Sequence, residues 1–89
     1  MKEKIIKTYR VRDLGEAAVL YTLHRKLLEL SRQDHNLYWF VFEDNDDCQT
    51  YINQYWRKEL LVNAKHFYDS VKTLKNLLFD TKDRDRHVT

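Results

Sequence analysis

Six consecutive apolar or aromatic residues, LYWFVF at 37–42, restrict the fold of this chain more than any other feature. The run is too short for a helix and consists of residues that favour β-structure, so it predicts a strand. Its side chains divide between two faces: Leu37, Trp39 and Val41 on one, and Tyr38, Phe40 and Phe42 on the other. Because both faces are apolar, we expect the strand to be covered on both sides.

The residues before this strand predict another strand and a long helix. Residues 5–12, IIKTYRVR, alternate between a partly apolar side and a polar side, which indicates a half-buried strand. Asp13 and Glu16 have the spacing of a capping box, so a helix should begin directly after Asp13. Apolar residues cover more than half of the circumference of a helix over 14–31, and we expect this helix to be central. The polar residues SRQDHN at 31–36 predict a loop.

Two further helices are predicted after the strand. The acidic run at 44–47 suits a helix start, with Asp44 or Asn45 as the cap and with Asp46 and Asp47 in the first turn, where the helix dipole favours negative charge. Asn63 should cap the last helix. Apolar residues at helical spacing predict the inner faces: Cys48, Tyr51, Ile52, Tyr55, Trp56 and Leu60 in the first helix, and Ala64, Phe67, Val71, Leu74 and Leu78, flanked by Tyr68, Lys75 and Phe79, in the second.

The predicted element order, β-α-β-α-α, indicates a single small α+β domain at 1–80. The first three elements predict a right-handed βαβ unit with parallel strands. Since two strands alone make a poor sheet, either a short third strand at 60–62 or another chain should complete it. The polar residues 81–89 predict a disordered tail.

Size and composition limit the class of protein. A chain of 89 residues has a thin core, which a partner or a second copy in a homodimer would stabilise further. Cys48 is the only cysteine, so no intramolecular disulfide is available, and a reducing cytoplasm is the expected location. No stretch reaches the roughly 20 apolar residues of a membrane span, so no membrane partner is expected. The first ten residues lack the apolar segment of a signal peptide.

Few patterns in the sequence point to chemistry. Asp44 and Asp46 fit the first positions of a calcium loop, but Cys48 and Gln49 stand where an oxygen ligand and a glycine are needed. The four histidines and the lone cysteine lack zinc-site spacing. Glycine-rich phosphate loops and nucleophile elbows do not occur in the sequence. We therefore expect no metal, no cofactor and no enzymatic activity.

Nucleic-acid binding is an alternative that the net charge of +2 does not decide. The candidate phosphate-binding residues are Arg10, Arg12, Arg57, Lys58, Lys65, Lys72 and Lys75. Asp69 lies among the lysines, so a solvated face of mixed charge is the competing interpretation. The rings at 40–42 are similar to the strand on which RNA-recognition modules stack bases. That fold's glycine and second half are missing, so the rings are expected in the core.

Several segments resemble a family of small domains of unknown function, encoded largely by bacteriophages, prophages and other mobile elements. The similar segments, which together span about 8–79, are TYRVRDLGEAAVLYTL at 8–23, YWFVFED at 38–44, YINQYW at 51–56 and F…VKTLKNLLF at 67–79. A glycine commonly follows the Tyr-Trp pair in that family, where this chain has Arg57. The resemblance implies no catalytic residue.

The expected function is therefore that of a small non-enzymatic binding module. The resemblance implies a phage or mobile-element protein that acts through contacts with a host or phage protein, with inhibition of a host defence system as one such role. Accessory DNA or RNA binding through the basic residues is the alternative.

Overall fold

The computed structural model describes residues 5–86 of the chain. They form a small α+β fold with three strands and three helices, which confirms the predicted class. The elements are β1 (Thr8–Val11), α1 (Leu14–Thr22), β2 (Leu27–Asp34), β3 (Leu37–Glu43), α2 (Cys48–Trp56) and α3 (Ala64–Arg86). The predicted order β-α-β-α-α therefore lacked one strand, β2.

The sheet is antiparallel, with β3 between β1 and β2. The run LYWFVF is thus the central strand, and Phe40 lies opposite Val11 on β1 and Leu30 on β2. The predicted parallel βαβ unit is wrong, because β2 returns directly into β3 through the turn at His35 and Asn36. Residues 60–62 form no strand, and β2 supplies the third strand instead.

Helix α1 is the central helix, as predicted, but it is half as long. Asp13 accepts the backbone N–H of Glu16 at 2.9 Å, which confirms one half of the predicted capping box. The carboxylate of Glu16 accepts the indole N–H of Trp56. Four consecutive residues, at 17–20, are buried, so the helix is covered around its whole circumference. The cover consists of the rings of Phe40 and Phe42 on the sheet side and of α2 and α3.

The early end of α1 contradicts the predicted helix over 14–31. His24 has a left-handed backbone, with φ of 64°, directly after the C-cap. The N–H groups of His24 and Arg25 return to the carbonyls of Tyr21 (3.1 Å) and Leu20 (2.9 Å), the two bonds of a Schellman motif. The chain then reverses, and the expected loop at 31–36 is mostly strand β2.

Only one face of the sheet packs into the main core, so the prediction of cover on both sides is wrong. Phe40 and Phe42 belong to the hydrophobic cluster beneath α1, whereas Trp39 and Val41 lie on the other face. Val41 is buried all the same, between Arg10 and Glu29 on the neighbouring strands. Long side chains can shield apolar groups in this way while their charged ends stay in water.

The C-terminal helix extends further than the sequence predicts. Residues 81–86 continue α3, and the hydroxyl of Tyr38 on β3 donates a hydrogen bond to Asp85. The division of the chain into a domain at 1–80 and a tail at 81–89 stays a prediction, and 87–89 lie outside the described residues. Over 5–86, no helix has the length and apolar character to cross a membrane.

Candidate functional site

The long helix α3 has one buried face and one exposed face. Asn63 accepts the backbone N–H of His66 at 2.9 Å, which confirms the predicted cap. Leu74 is fully buried, and Phe67, Val71 and Leu78 pack around the same core, as the apolar spacing predicts. We define the outer face of α3 as the residues Lys65, Tyr68, Lys72, Lys75 and Phe79, which recur at alternating spacings of three and four along the helix.

Two aromatic rings stand in water on this outer face. The side chain of Tyr68 is 58% exposed and that of Phe79 is 61% exposed. Eleven residues separate them, which is about three turns or roughly 16 Å along the helix, so both project to the same side. Since such large apolar surfaces are usually buried, a pair of rings exposed on one helix face is a candidate contact surface.

Lysines surround the first ring. The Nζ atoms of Lys65 and Lys72 lie 5.6 Å and 5.3 Å from the centroid of Tyr68, within cation–π range. Lys65 also forms a salt bridge with Asp69 at 2.9 Å. Lys72 and Lys75 form no salt bridge with any residue in 5–86. The outer face therefore combines accessible positive charge with aromatic surface.

The exposure of Tyr68 and Phe79 differs from the sequence-based prediction, which places both rings on the flanks of the buried stripe. Trp56 was likewise expected on an inner face, yet it is 59% exposed, and its Nε1 donates to Glu16 at 2.6 Å. The recurrence of lysine and aromatic residues at 65, 68, 72, 75 and 79 was a usable signal. It marks a second stripe, separate from the one that contains Leu74.

The residues predicted for nucleic-acid binding do not form one surface. Three of them, Lys65, Lys72 and Lys75, lie on the outer face of α3. Arg10 and Arg12 lie on the sheet face that points away from the helices. Arg57 and Lys58 form the turn after α2, where Arg57 pairs with Glu59 at 3.2 Å and Lys58 has a φ of 62°.

The sheet face that points away from the helices has its own aromatic residue. The guanidinium carbon of Arg12 lies 4.9 Å from the centroid of the Trp39 ring. Phe40 and Phe42, by contrast, are 1% and 0% exposed, so the rings compared with base-stacking residues lie in the core, as expected.

Cys48 lies in the core, as predicted, and is poorly suited to nucleophilic chemistry. It is fully buried, and its thiol donates to the backbone carbonyl of Glu43 across 3.8 Å. Burial, with smaller contributions from the hydrogen bond and negative charge of Asp44, raises the pKa of Cys48 to about 12. Nearly all of the thiol is therefore protonated at neutral pH.

The acidic loop before α2 is held together by its own contacts. Ligand atoms of Asp44, Asp47 and Cys48 lie within 4.8 Å of one another. Asp44 accepts the backbone N–H of Asp46 at 2.9 Å, and Asp47 pairs with the guanidinium of Arg25 at 3.0 Å. These bonds account for the cluster as the loop that leads into α2. The N-cap of α2 is Asp47, so the predicted cap at Asp44 or Asn45, with Asp46 and Asp47 inside the first turn, is wrong. Asp44 instead accepts the backbone N–H groups of Asp46 and Cys48 from outside the helix.

Two histidines that are distant in sequence line the same cavity. His24 and His66 both line an open cavity of about 610 Å³ between the end of α1 and the start of α3. On its floor, the hydroxyl of Thr22 donates to Ser70 at 2.8 Å. His87 lies outside the described residues.

Comparison with known protein families gives a match over most of the chain. The sequence profile of a domain of unknown function, DUF5659, matches residues 6–80. No curated protein and no solved structure matches the chain.

Proposed function

The chain belongs to the DUF5659 family, whose function is unknown, and we propose that it is a non-enzymatic binding module that acts through protein contacts. The observation that carries the proposal is the pair of rings on the outer face of α3, Tyr68 and Phe79, each more than half exposed. Aromatic side chains in interfaces bury large areas at a small cost in conformational entropy, and they often dominate the binding energy.

The charge around these rings specifies the partner. A protein that covers Tyr68 must also accommodate the ammonium groups of Lys65 and Lys72 beside it. Lys75 adds a third positive charge between Tyr68 and Phe79. The matching surface is therefore acidic, with an apolar centre, because complementary charge speeds association and disfavours wrong partners.

The biological setting of the proposal rests on the family resemblance. A small mobile-element protein with a binding surface and without recognisable catalytic groups would act in the cytoplasm by occupying a host or phage protein. Inhibition of a host defence system is one such role. Phage plating on hosts that express the chain, with and without the changes described next, tests it directly.

The binding experiment compares rings on and off the outer face of α3. Proteins captured from a host lysate, with nuclease present, would be purified and titrated against the parent chain, Tyr68→Ala, Phe79→Ala and the control Tyr21→Ala. Tyr21 is a matched control because its ring is 38% exposed but lies on α1. We expect each α3 variant to bind at least about thirtyfold more weakly, since truncation of an aromatic anchor typically costs about 2 kcal/mol or more.

Two results would contradict this proposal. One is a captured protein that binds both α3 variants as tightly as the parent chain. The other is a parent chain that sediments as a dimer while the Tyr68→Ala variant sediments as a monomer. In that case a second copy of the chain would occupy the outer face of α3.

Single-stranded nucleic-acid binding is a second candidate, favoured by the stacked pair of Arg12 and Trp39 on the open face of the sheet. Bases stack on aromatic and guanidinium planes, and Arg10 on the same face would contact phosphate. A fluorescence anisotropy titration with a labelled oligonucleotide at about 50 mM salt tests it, because the electrostatic attraction is strong there. Binding that Arg12→Glu abolishes and Lys72→Glu leaves intact supports this candidate, and absence of binding ends it.

A further inference from the structure

Strand β2 lies at an edge of the sheet, and its outer side is open. Only β3 pairs with β2 among the strands of the described chain. The pairing with β3 is regular at 29–32 and is interrupted by an irregularity on either side of that stretch. An unpaired edge of this kind offers backbone N–H and C=O groups to an additional strand.

A groove runs between this edge and α3. It has a volume of about 320 Å³, and its lining includes Leu28 and Leu30 from β2 and Leu77 from α3. Further along α3 the lining continues to Thr81 and Arg84. The side chain of Arg84 is exposed and forms no salt bridge within the described part of the chain. Glu29 also lines the groove, but it lies opposite Val41 and so belongs to the sheet face that points away from the helices. On the side toward α3, the groove is therefore lined by leucines and by the positive charge of Arg84.

We propose that this groove binds an extended peptide segment, which adds to the edge of β2 as a fourth strand. Peptides bind many proteins in this way, with main-chain hydrogen bonds for affinity and alternate side chains for specificity. Residues two apart in a strand point to the same side and are about 6.6 Å apart. The matching segment therefore has an apolar residue, for the leucines, and an aspartate or glutamate two positions away, for Arg84.

The shape of the edge favours a short peptide over a second copy of the chain. The irregularities on either side of 29–32 limit regular pairing to four residues of β2. Irregularities at sheet edges are a common means by which proteins prevent edge-to-edge association of whole strands. A hexapeptide can pair with these four residues and extend by one residue beyond each end.

This site goes beyond the proposed function and is independent of it. Leu77 and Arg84 lie on a different side of α3 from Tyr68 and Phe79, because they line the groove toward β2. Loss of one binding activity should therefore leave the other intact.

The test uses an array of acetylated and amidated hexapeptides with the pattern apolar-x-acidic or apolar-x-lysine. Hits are titrated by fluorescence anisotropy, and the amide signals of the chain are followed by NMR. We expect the acidic peptides to bind, with the largest amide shifts at 29–32. Arg84→Glu should weaken the binding of the acidic peptides about tenfold. Because the charge in the groove is then reversed, this variant should bind the lysine peptides more tightly than the parent chain does. Tyr68→Ala is the matched control and should leave peptide affinity unchanged.

N-methylated peptides separate strand addition from simple charge attraction. Methylation of alternate backbone amides removes the donors that would pair with β2 and leaves the side chains in place. We expect it to abolish binding. Equal binding of methylated and unmethylated peptides, or absence of shifts at 29–32, would overturn the inference. A dimer in sedimentation velocity whose dissociation on dilution shifts the amides at 29–32 would overturn it as well.

Discussion

Single residues set the spacing between the helices in this fold. Gly15 lies in the first turn of α1, where a Cβ atom would meet the hydroxyl of Tyr55 on α2 and a carboxylate oxygen of Asp13. The absence of a side chain at Gly15 therefore allows α2 to approach α1 closely, which is a packing requirement and not one of backbone conformation.

We expect Gly15→Ala to destabilise the chain by about 1 kcal/mol, because the cost of displacing Tyr55 exceeds the gain in helix propensity. Tyr55→Phe removes the hydroxyl and should reduce that cost. Urea unfolding of both single variants and the double variant gives the coupling energy. Additive effects of the two changes would show that the hydroxyl is not the obstacle.

Cys48 makes stability depend on alkaline pH. Its pKa is raised from 9.0 to about 12 in the folded chain, mainly by burial. The unfolded thiol therefore loses its proton first, so the stabilising contribution is complete below about pH 9 and is lost as the pH rises toward 12. We expect the free energy of unfolding to fall more steeply between pH 9 and 10.5 in the parent chain than in Cys48→Ala. Parallel slopes for the two proteins would contradict the assignment.

The C-terminal ends of α1 and α2 determine where the next elements of the chain begin. Both α1 and α2 end in the same motif, with His24 and Lys58 in the left-handed conformation. After α2, the N–H of Lys58 bonds to the carbonyl of Tyr55 (3.1 Å) and that of Glu59 to Gln54 (2.9 Å). The left-handed position, which glycine adopts most readily, is therefore that of Lys58. It is not that of Arg57, the residue that directly follows Trp56.

Glycine at these two positions should stabilise the chain. A left-handed conformation costs a residue with a Cβ atom about 1–2 kcal/mol, which glycine avoids, although the unfolded chain then gains freedom. We expect His24→Gly and Lys58→Gly each to raise the free energy of unfolding by about 0.5–1 kcal/mol. Thermal unfolding measures the effect, and Lys26→Gly, two residues after His24 and without a positive φ, is the control that should not stabilise.

The last turns of α3 depend on a contact with the sheet. Tyr38 donates to Asp85, and Lys82 lies 5.9 Å from the centroid of the Tyr38 ring. We expect Tyr38→Phe to increase hydrogen exchange at 81–86 and to leave exchange in the first turns of α3 unchanged, because only the end of the helix loses a partner. Unchanged exchange at 81–86 would show that packing alone holds this end.

The whole molecule is arranged around α1, which has little room for additional atoms. Ala17 and Ala18 are fully buried between the sheet and the flanking helices. The small side chains of Ala17 and Ala18 allow the sheet on one side of α1 and helices α2 and α3 on the other to approach α1 closely. The small core is therefore closely packed.

We expect Ala18→Leu to destabilise the fold by about 3 kcal/mol, since inserted methylenes force neighbouring side chains and backbone to shift. Tyr68→Ala, on the exposed face of α3, should change stability by less than about 0.5 kcal/mol. Urea unfolding of both variants checks the contrast. A tolerated leucine would indicate unfilled space around α1.

Local patterns predicted most elements of this chain correctly. The strand at 37–42, the cap at Asp13, the cap at Asn63 and the buried stripe with Leu74 each depend on residues within a few positions of one another. Periodicity and capping record such short-range preferences directly. The α+β class follows from them.

Only the tertiary structure decided the role of 27–34 and of the outer rings. Leu27, Leu28 and Leu30 suit a helix face as well as a strand, and pairing with β3 across the turn selects the strand. Tyr68 and Leu74 are both apolar positions of one helix, and contact with α1 buries only Leu74. Such choices depend on partners distant in sequence, so the strand order and the accessible binding surface became visible only when the chain was folded.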